Sequence, residues 1–281
     1  MSELLLFKTL WGFSGSLAQA QNLAAAQGFH GLELNLHHPC IAALAAQQVQ
    51  EALSQAQQRL IVEIVTGGDY VPALAQGPAQ QLQELREQLQ RALELQPVRI
   101  SVIAGSDAWG PRQQREFWDE AVAMAKAAAA PVCFETHRSR SLFNPWTIED
   151  WLHSYPDLRL TADLSHWCAV AERLMTPELT PIQAMAGRVD HIHARVGHAQ
   201  GPSVGHPFAP EWTEALEAHR RCWALFSASQ RGRGLAPRTI TPEFGPDGYL
   251  PQLPFTAQPV ADLEEINRSL GVWIKAGALE R

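Results

Sequence analysis

Eight short runs of β-branched and apolar residues alternate with longer stretches whose apolar residues recur at helical spacing. This alternation constrains the fold more than any other feature of the chain. Strands are expected over residues 8–11, 31–36, 60–66, 98–104, 131–136, 158–163, 189–195 and 238–243. Helices are expected over 17–27, 41–57, 79–95, 112–129, 147–154, 168–185, 211–230 and 260–276. Gly28 stands where a helix C-cap belongs, and Pro97 stops the third helix. Strand followed by helix, repeated, implies a parallel sheet. Eight such units in 281 residues imply α/β architecture closed into a single (β/α)8 TIM barrel spanning residues 1–281, since such barrels take about 250 residues. An open doubly wound sheet would carry a Gly-x-Gly-x-x-Gly turn after its first strand, and Gly12-Phe13-Ser14-Gly15 is too sparse for one.

Composition narrows the function. At 46% hydrophobic and 18% charged residues the chain is globular. With 22 basic and 29 acidic residues, net charge −7, it is a poor binder of nucleic acid or anionic membranes. No apolar run reaches the length of a membrane span, and the first eight residues lack a basic segment and a small-residue cleavage site. Cys40, Cys133, Cys168 and Cys222 form no Cys-x-x-Cys pair, which excludes a zinc knuckle and a thioredoxin-like site. Scattered, reduced cysteines fit a cytoplasmic enzyme.

Polar residues stand where buried parallel strands should be apolar. Strand five ends Phe134-Glu135-Thr136-His137-Arg138, strand six Ala162-Asp163-Leu164-Ser165-His166, strand seven runs Asp190-His191-Ile192-His193-Ala194-Arg195, and strand eight ends Pro242-Glu243. On a barrel these four ends are neighbours on the rim that carries active sites. One charged residue at a strand end is commonly a loop ion pair. Three carboxylates converging with an imidazole would repel and desolvate badly unless a divalent cation sat among them. Oxygen ligands and one imidazole suit Mn2+, Mg2+, Co2+ or Zn2+. With positions left for two substrate oxygens, such a centre polarises a carbonyl and supports an enediolate.

Glu135 and His137 share one strand face, as do His191 and His193. Only one of the latter pair need bind metal, and His193 lies nearer the strand end. Glu33 and Glu63 also fall in strands, where a structural ion pair is at least as good a reading. His166 is placed to meet a substrate hydroxyl or act as a second base. Arg138, Arg140 and Arg195, with His137 and His198, offer an anion-binding rim. Trp11, Trp109 and Trp167 follow strands and suit either a sugar face or the core. Lys8 reads as structural.

The set Glu135, Asp163 with His166, His193 and Glu243 resembles the xylose-isomerase-like TIM barrel superfamily, and within it the sugar phosphate isomerase/epimerase group. The resemblance covers essentially the whole chain. It implies one divalent metal held by Glu135, Asp163, His193 and Glu243, with Glu135 and Glu243 also exchanging a proton with the sugar carbon from opposite faces. His166 would contact a substrate oxygen, and His137, Arg138, Arg195, His198 and Trp167 would line the substrate site. Ketose epimerases carry a Glu and an Arg soon after the metal histidine; here the chain reads Ala194-Arg195-Val196-Gly197-His198. The expected activity is therefore a metal-dependent sugar, sugar phosphate or sugar acid isomerase or epimerase, with a dehydratase as a neighbouring chemistry. The expected partner is a small carbohydrate-like substrate, with neither nucleic acid nor membrane. A non-catalytic metal-binding barrel is the alternative. An endonuclease IV-like nuclease would need further histidines on strands three and four, which supply none. A homodimer is left open, because the amphipathic helices do not separate a core face from a dimer face.

Overall fold

The computed structural model describes residues 3–246 and 248–280. Its strands are β1 (Leu4–Thr9), β2 (Gly31–Asn35), β3 (Arg59–Val65), β4 (Arg99–Ile103), β5 (Val132–Glu135), β6 (Leu160–Ala162), β7 (Val189–Ala194) and β8 (Arg238–Pro242). They pair in parallel in sequence order, and β8 closes on β1, giving the closed barrel. Helices follow the strands around the outside. No helix among the described residues is long and apolar enough to cross a membrane.

Period-two alternation divides the strand residues between two environments. Leu32, Leu34, Val62, Ile64, Ile100, Val102, Phe134, Leu160, Ile192 and Ile240 join the helices in one apolar core. Their alternates are largely polar. Arg99 donates to Thr239 and Pro237 across the lower barrel, Ser101 meets Thr161 at 2.8 Å, and Glu33 reaches His191 at 3.1 Å. These bonds join non-neighbouring strands, so they cross the lumen. Barrel interiors are more often filled by branched apolar side chains. Here hydrophobic burial is concentrated between strands and helices, and the lumen is a hydrogen-bonded column.

Several boundaries differ from the sequence expectation. β1 begins at Leu4 rather than Lys8, because the run Leu4-Leu5-Leu6-Phe7 pairs with β8. Lys8 is thus near the strand's end, and its buried ammonium is paired outward with Glu264 at 2.5 Å. The helical stretch 41–57 is two helices, Pro39–Ala42 and Ala46–Gln55. β6 stops at Ala162, and helix Leu164–Ala171 starts at once, with Asp163 as its N-cap accepting from the Ser165 amide. That helix ends at left-handed Glu172, and a separate helix, Thr180–Ala186, follows. Gly28, at φ +77°, does sit just past helix Leu17–Ala26, in the left-handed region that glycine adopts freely.

Candidate metal centre

The column leads upward to the candidate centre. Glu135 ends β5, Asp163 follows β6, His193 lies late in β7 and Glu243 follows β8. All four are buried, and one donor atom from each lies within 4.8 Å of the others. His193 Nδ1 is 2.9 Å from Glu243 Oε2 and 3.4 Å from Glu135 Oε2. Yet His193 Nδ1 and Glu135 Oε2 have no hydrogen-bond partner among the described residues. Orphaned buried polar atoms of this kind call for an explanation. Donors about 2.1 Å from a common octahedral ion sit roughly 3.0 Å apart, so these separations and the donor chemistry fit a divalent cation.

His193 is held from behind. Its Nε2 contacts Glu33 Oε1 at 3.0 Å, while the other oxygen of Glu33 takes His191 Nε2 at 3.1 Å. His191 Nδ1 meets Thr239 Oγ1 at 2.8 Å. Glu33 therefore fixes the ring so that Nδ1 faces the carboxylates. His191 sits one layer deeper and is spoken for, which separates the two histidines that the sequence could not.

The electrostatics reflect buried acids crowded around one imidazole. Burial pushes the Glu135 carboxyl up to about 7, against the pull of His193. Burial, with the charges of Glu243 and Glu135, pushes Glu63 up to about 8, although Asn35 donates to it at 3.1 Å. Burial likewise raises Asp163, against the pull of Arg195. Burial opposes protonating His193, but Glu243, Glu33 and Glu135 outweigh it and hold the imidazole well above its usual range.

Arg195 enters the cluster more deeply than a rim residue. Its guanidinium pairs with Asp163, donates to Ser165 Oγ at 3.0 Å and to the Glu243 carbonyl at 3.3 Å, and lies 2.8 Å from His166 Nε2. Burial holds His166 and His137 well below the usual imidazole range. His166 Nδ1 is buried without a partner among the described residues. The two rings lie 3.8 Å apart. Trp11, Tyr70, His137, Arg195 and Tyr249 wall a small pocket over Glu63, Glu135 and Glu243. A side-chain carbon on Gly245 would fall 2.0 Å from the Trp11 ring, so only glycine lets the loop after β8 pass so close.

Three residues expected at the substrate rim have partners within the fold. Trp167 is wholly buried and donates from Nε1 to the Leu142 carbonyl at 2.9 Å, which makes it a core residue. His198 stands half-buried in the loop after β7, packed on Trp212 with ring centroids 4.7 Å apart. Arg140 is buried and donates to the carbonyls of Thr66, Asp69, Tyr70 and Gly105, a clamp on two loops. Trp109 is likewise tied into the fold through the Gln76 carbonyl. The Arg138 guanidinium lies 4.8 Å from the Tyr249 ring centroid. Tyr70 and Tyr249 are pocket residues that the sequence did not single out; both lie in loops, where no periodicity marks them.

No family model and no curated protein matches the chain. Solved structures do. An L-ribulose 3-epimerase aligns with TM-score 0.66 and 14% identity over 100% of this chain and 95% of its own. The probable 3-DHS dehydratase AsbF of Bacillus anthracis aligns with TM-score 0.63 and 13% identity over 98% and 99%. Endonuclease IV of Thermus thermophilus aligns with TM-score 0.61 and 16% identity over 98% of each chain. The closed barrel and these likenesses give the chain the (β/α)8 TIM-barrel fold that these structures share.

Proposed function

We propose that the protein is a divalent-metal-dependent isomerase or epimerase of a sugar, sugar phosphate or sugar acid, working by proton abstraction beside a carbonyl. The observation that carries this reading is the buried quartet Glu135, Asp163, His193 and Glu243, with its unpartnered donor atoms. These four residues would hold the metal. When bound, the ion supplies Lewis acidity, lowering the energy of the negative charge that develops on a carbonyl oxygen.

The remaining work falls to side chains. Glu135 and Glu243 are the proton carriers. A carboxylate beside the reacting carbon can take up a proton and return it, as Glu135 and Glu243 are placed to do from the ends of β5 and β8. His166, with Nδ1 unpartnered, binds a substrate hydroxyl. Arg195 holds Asp163 in place and offsets the acidic cluster. Trp11, Tyr70 and Tyr249 exclude water and present aromatic faces to the C–H surface of a sugar. A net charge of −7 and the lack of histidine in β3 and β4 favour a small substrate over nucleic acid.

The test is exchange of substrate hydrogen with solvent. Mn2+-loaded protein is incubated in D2O with ketoses, sugar phosphates and sugar acids, and the C–H signal beside the carbonyl is followed by NMR. Exchange is expected for at least one class, with a loss of about 100-fold or more in E135Q. Product analysis separates epimerisation from water loss. No exchange with any class, in protein that binds Mn2+, would leave the non-catalytic barrel as the better reading.

A further inference from the structure

We infer that the substrate carries an anionic substituent, a carboxylate or a phosphate, and that Arg138 binds it; this rests on the sugar-directed reading above and narrows it. Three arginines lie near the mouth of the barrel, and two are committed. Arg140 spends its guanidinium on backbone carbonyls. Arg195 spends its own on Asp163, Ser165, His166 and the Glu243 carbonyl.

Arg138 differs from both. Its side chain makes no hydrogen bond or ion pair among the described residues, although it is half-buried. Its guanidinium lies 4.8 Å from the Tyr249 ring centroid, and the same ring lies 4.7 Å from the Arg195 guanidinium and 6.0 Å from His166. A second cation is thus held beside the site by a ring that also lines the pocket. Two guanidiniums sharing one ring repel each other, and the acid-rich chain puts no carboxylate on the outer one among the described residues. A guanidinium packed on an aromatic ring keeps its planar fork of N–H donors for bidentate capture of a carboxylate or phosphate. His137 lies next in the chain, and its Nδ1 bonds the Arg138 carbonyl at 2.5 Å, fixing the backbone from which Arg138 reaches out. The anionic group therefore sits at the outer end of the substrate, with the reacting carbons toward Glu135 and Glu243.

The experiment compares three probes of one carbon skeleton on Mn2+-loaded protein by calorimetry: D-sorbitol, D-gluconate and D-sorbitol 6-phosphate. At least one charged probe is expected to bind tenfold or more tighter than sorbitol, and the tighter of the two identifies the group as carboxylate or phosphate. In R138M that advantage is expected to vanish with Mn2+ uptake retained, and in R138K to return in part. Equal affinities, an advantage that survives in R138M, or no binding of either charged probe would overturn the role of Arg138. Mn2+ uptake is measured on the same samples. Protein that takes up no Mn2+ overturns the function proposed above, whereas Mn2+-loaded protein without a charge preference overturns only this inference.

Discussion

Glu33 and His193 face each other across the barrel, carboxylate Oε1 to imidazole Nε2 at 3.0 Å, and this contact sets which ring nitrogen meets the candidate metal. β2 and β7 are not neighbours in the sheet, so the contact spans the lumen. E33Q is expected to keep the fold and weaken Mn2+ binding by roughly 10–100-fold, the usual effect of losing such a supporting carboxylate. Calorimetry with wild type as reference checks this. An unchanged affinity would show that Glu33 serves only the packing of the lumen.

Arg195 and Asp163 form a fully buried ion pair. Removing one partner of such a pair leaves an uncompensated charge, which costs about 3 kcal/mol. R195M is expected to lose stability of that order in EDTA and to regain part of it with Mn2+, so that its melting temperature rises more on metal addition than that of wild type. A deficit that Mn2+ leaves untouched would mark Asp163 as an internal ion-pair partner and not a ligand.

Glu63 gives a pH signature. Its carboxyl sits at about 8 in the folded protein against an ordinary value of 4.5, so the native state holds the proton more tightly than the unfolded chain. The stability this contributes is present in full below pH 4.5 and is lost as pH rises through 8. In EDTA, E63Q is expected to gain on wild type by up to roughly 4 kcal/mol between about pH 5 and pH 8.5, at about 1.4 kcal/mol per pH unit. Urea unfolding across that range checks the sign; parallel curves would contradict it.

Trp167 gives a stability signature. Its indole is buried and bonded to the Leu142 carbonyl. W167F is expected to lose about 1–2 kcal/mol of stability, leaving an acceptor unpaired, with Mn2+ affinity and probe binding unchanged. Loss of probe binding at unchanged stability would return Trp167 to the substrate site.

The barrel was legible because its signal is periodic. Strand–helix alternation survives errors of several residues at each boundary, as the shifted start of β1 and the split helices show. The quartet was legible for a related reason: charged residues at strand ends break an apolar pattern, and closure of the sheet brings consecutive ends together. The choice between His191 and His193 was not legible from their shared face alone, because it depends on Glu33 reaching across from β2. The arginines near the mouth look alike in sequence. Which of them is committed to carbonyls, which to Asp163 and which to nothing is decided by loop paths that have no period. Tyr70 and Tyr249 are illegible for the same reason, since single aromatic residues in loops carry no pattern until the chain folds over the rim.

The metal centre itself is tested most directly by titrating Mn2+ calorimetrically into chelator-stripped protein and into the E135Q/E243Q double variant at about pH 7. One site per chain is expected in wild type, with protons released to the buffer because Glu135 and His193 bind them in the metal-free state. The double variant is expected to lose the site. Folded wild type that takes up no Mn2+, or a double variant that binds it as tightly, would contradict the assignment of Glu135, Asp163, His193 and Glu243 as metal ligands.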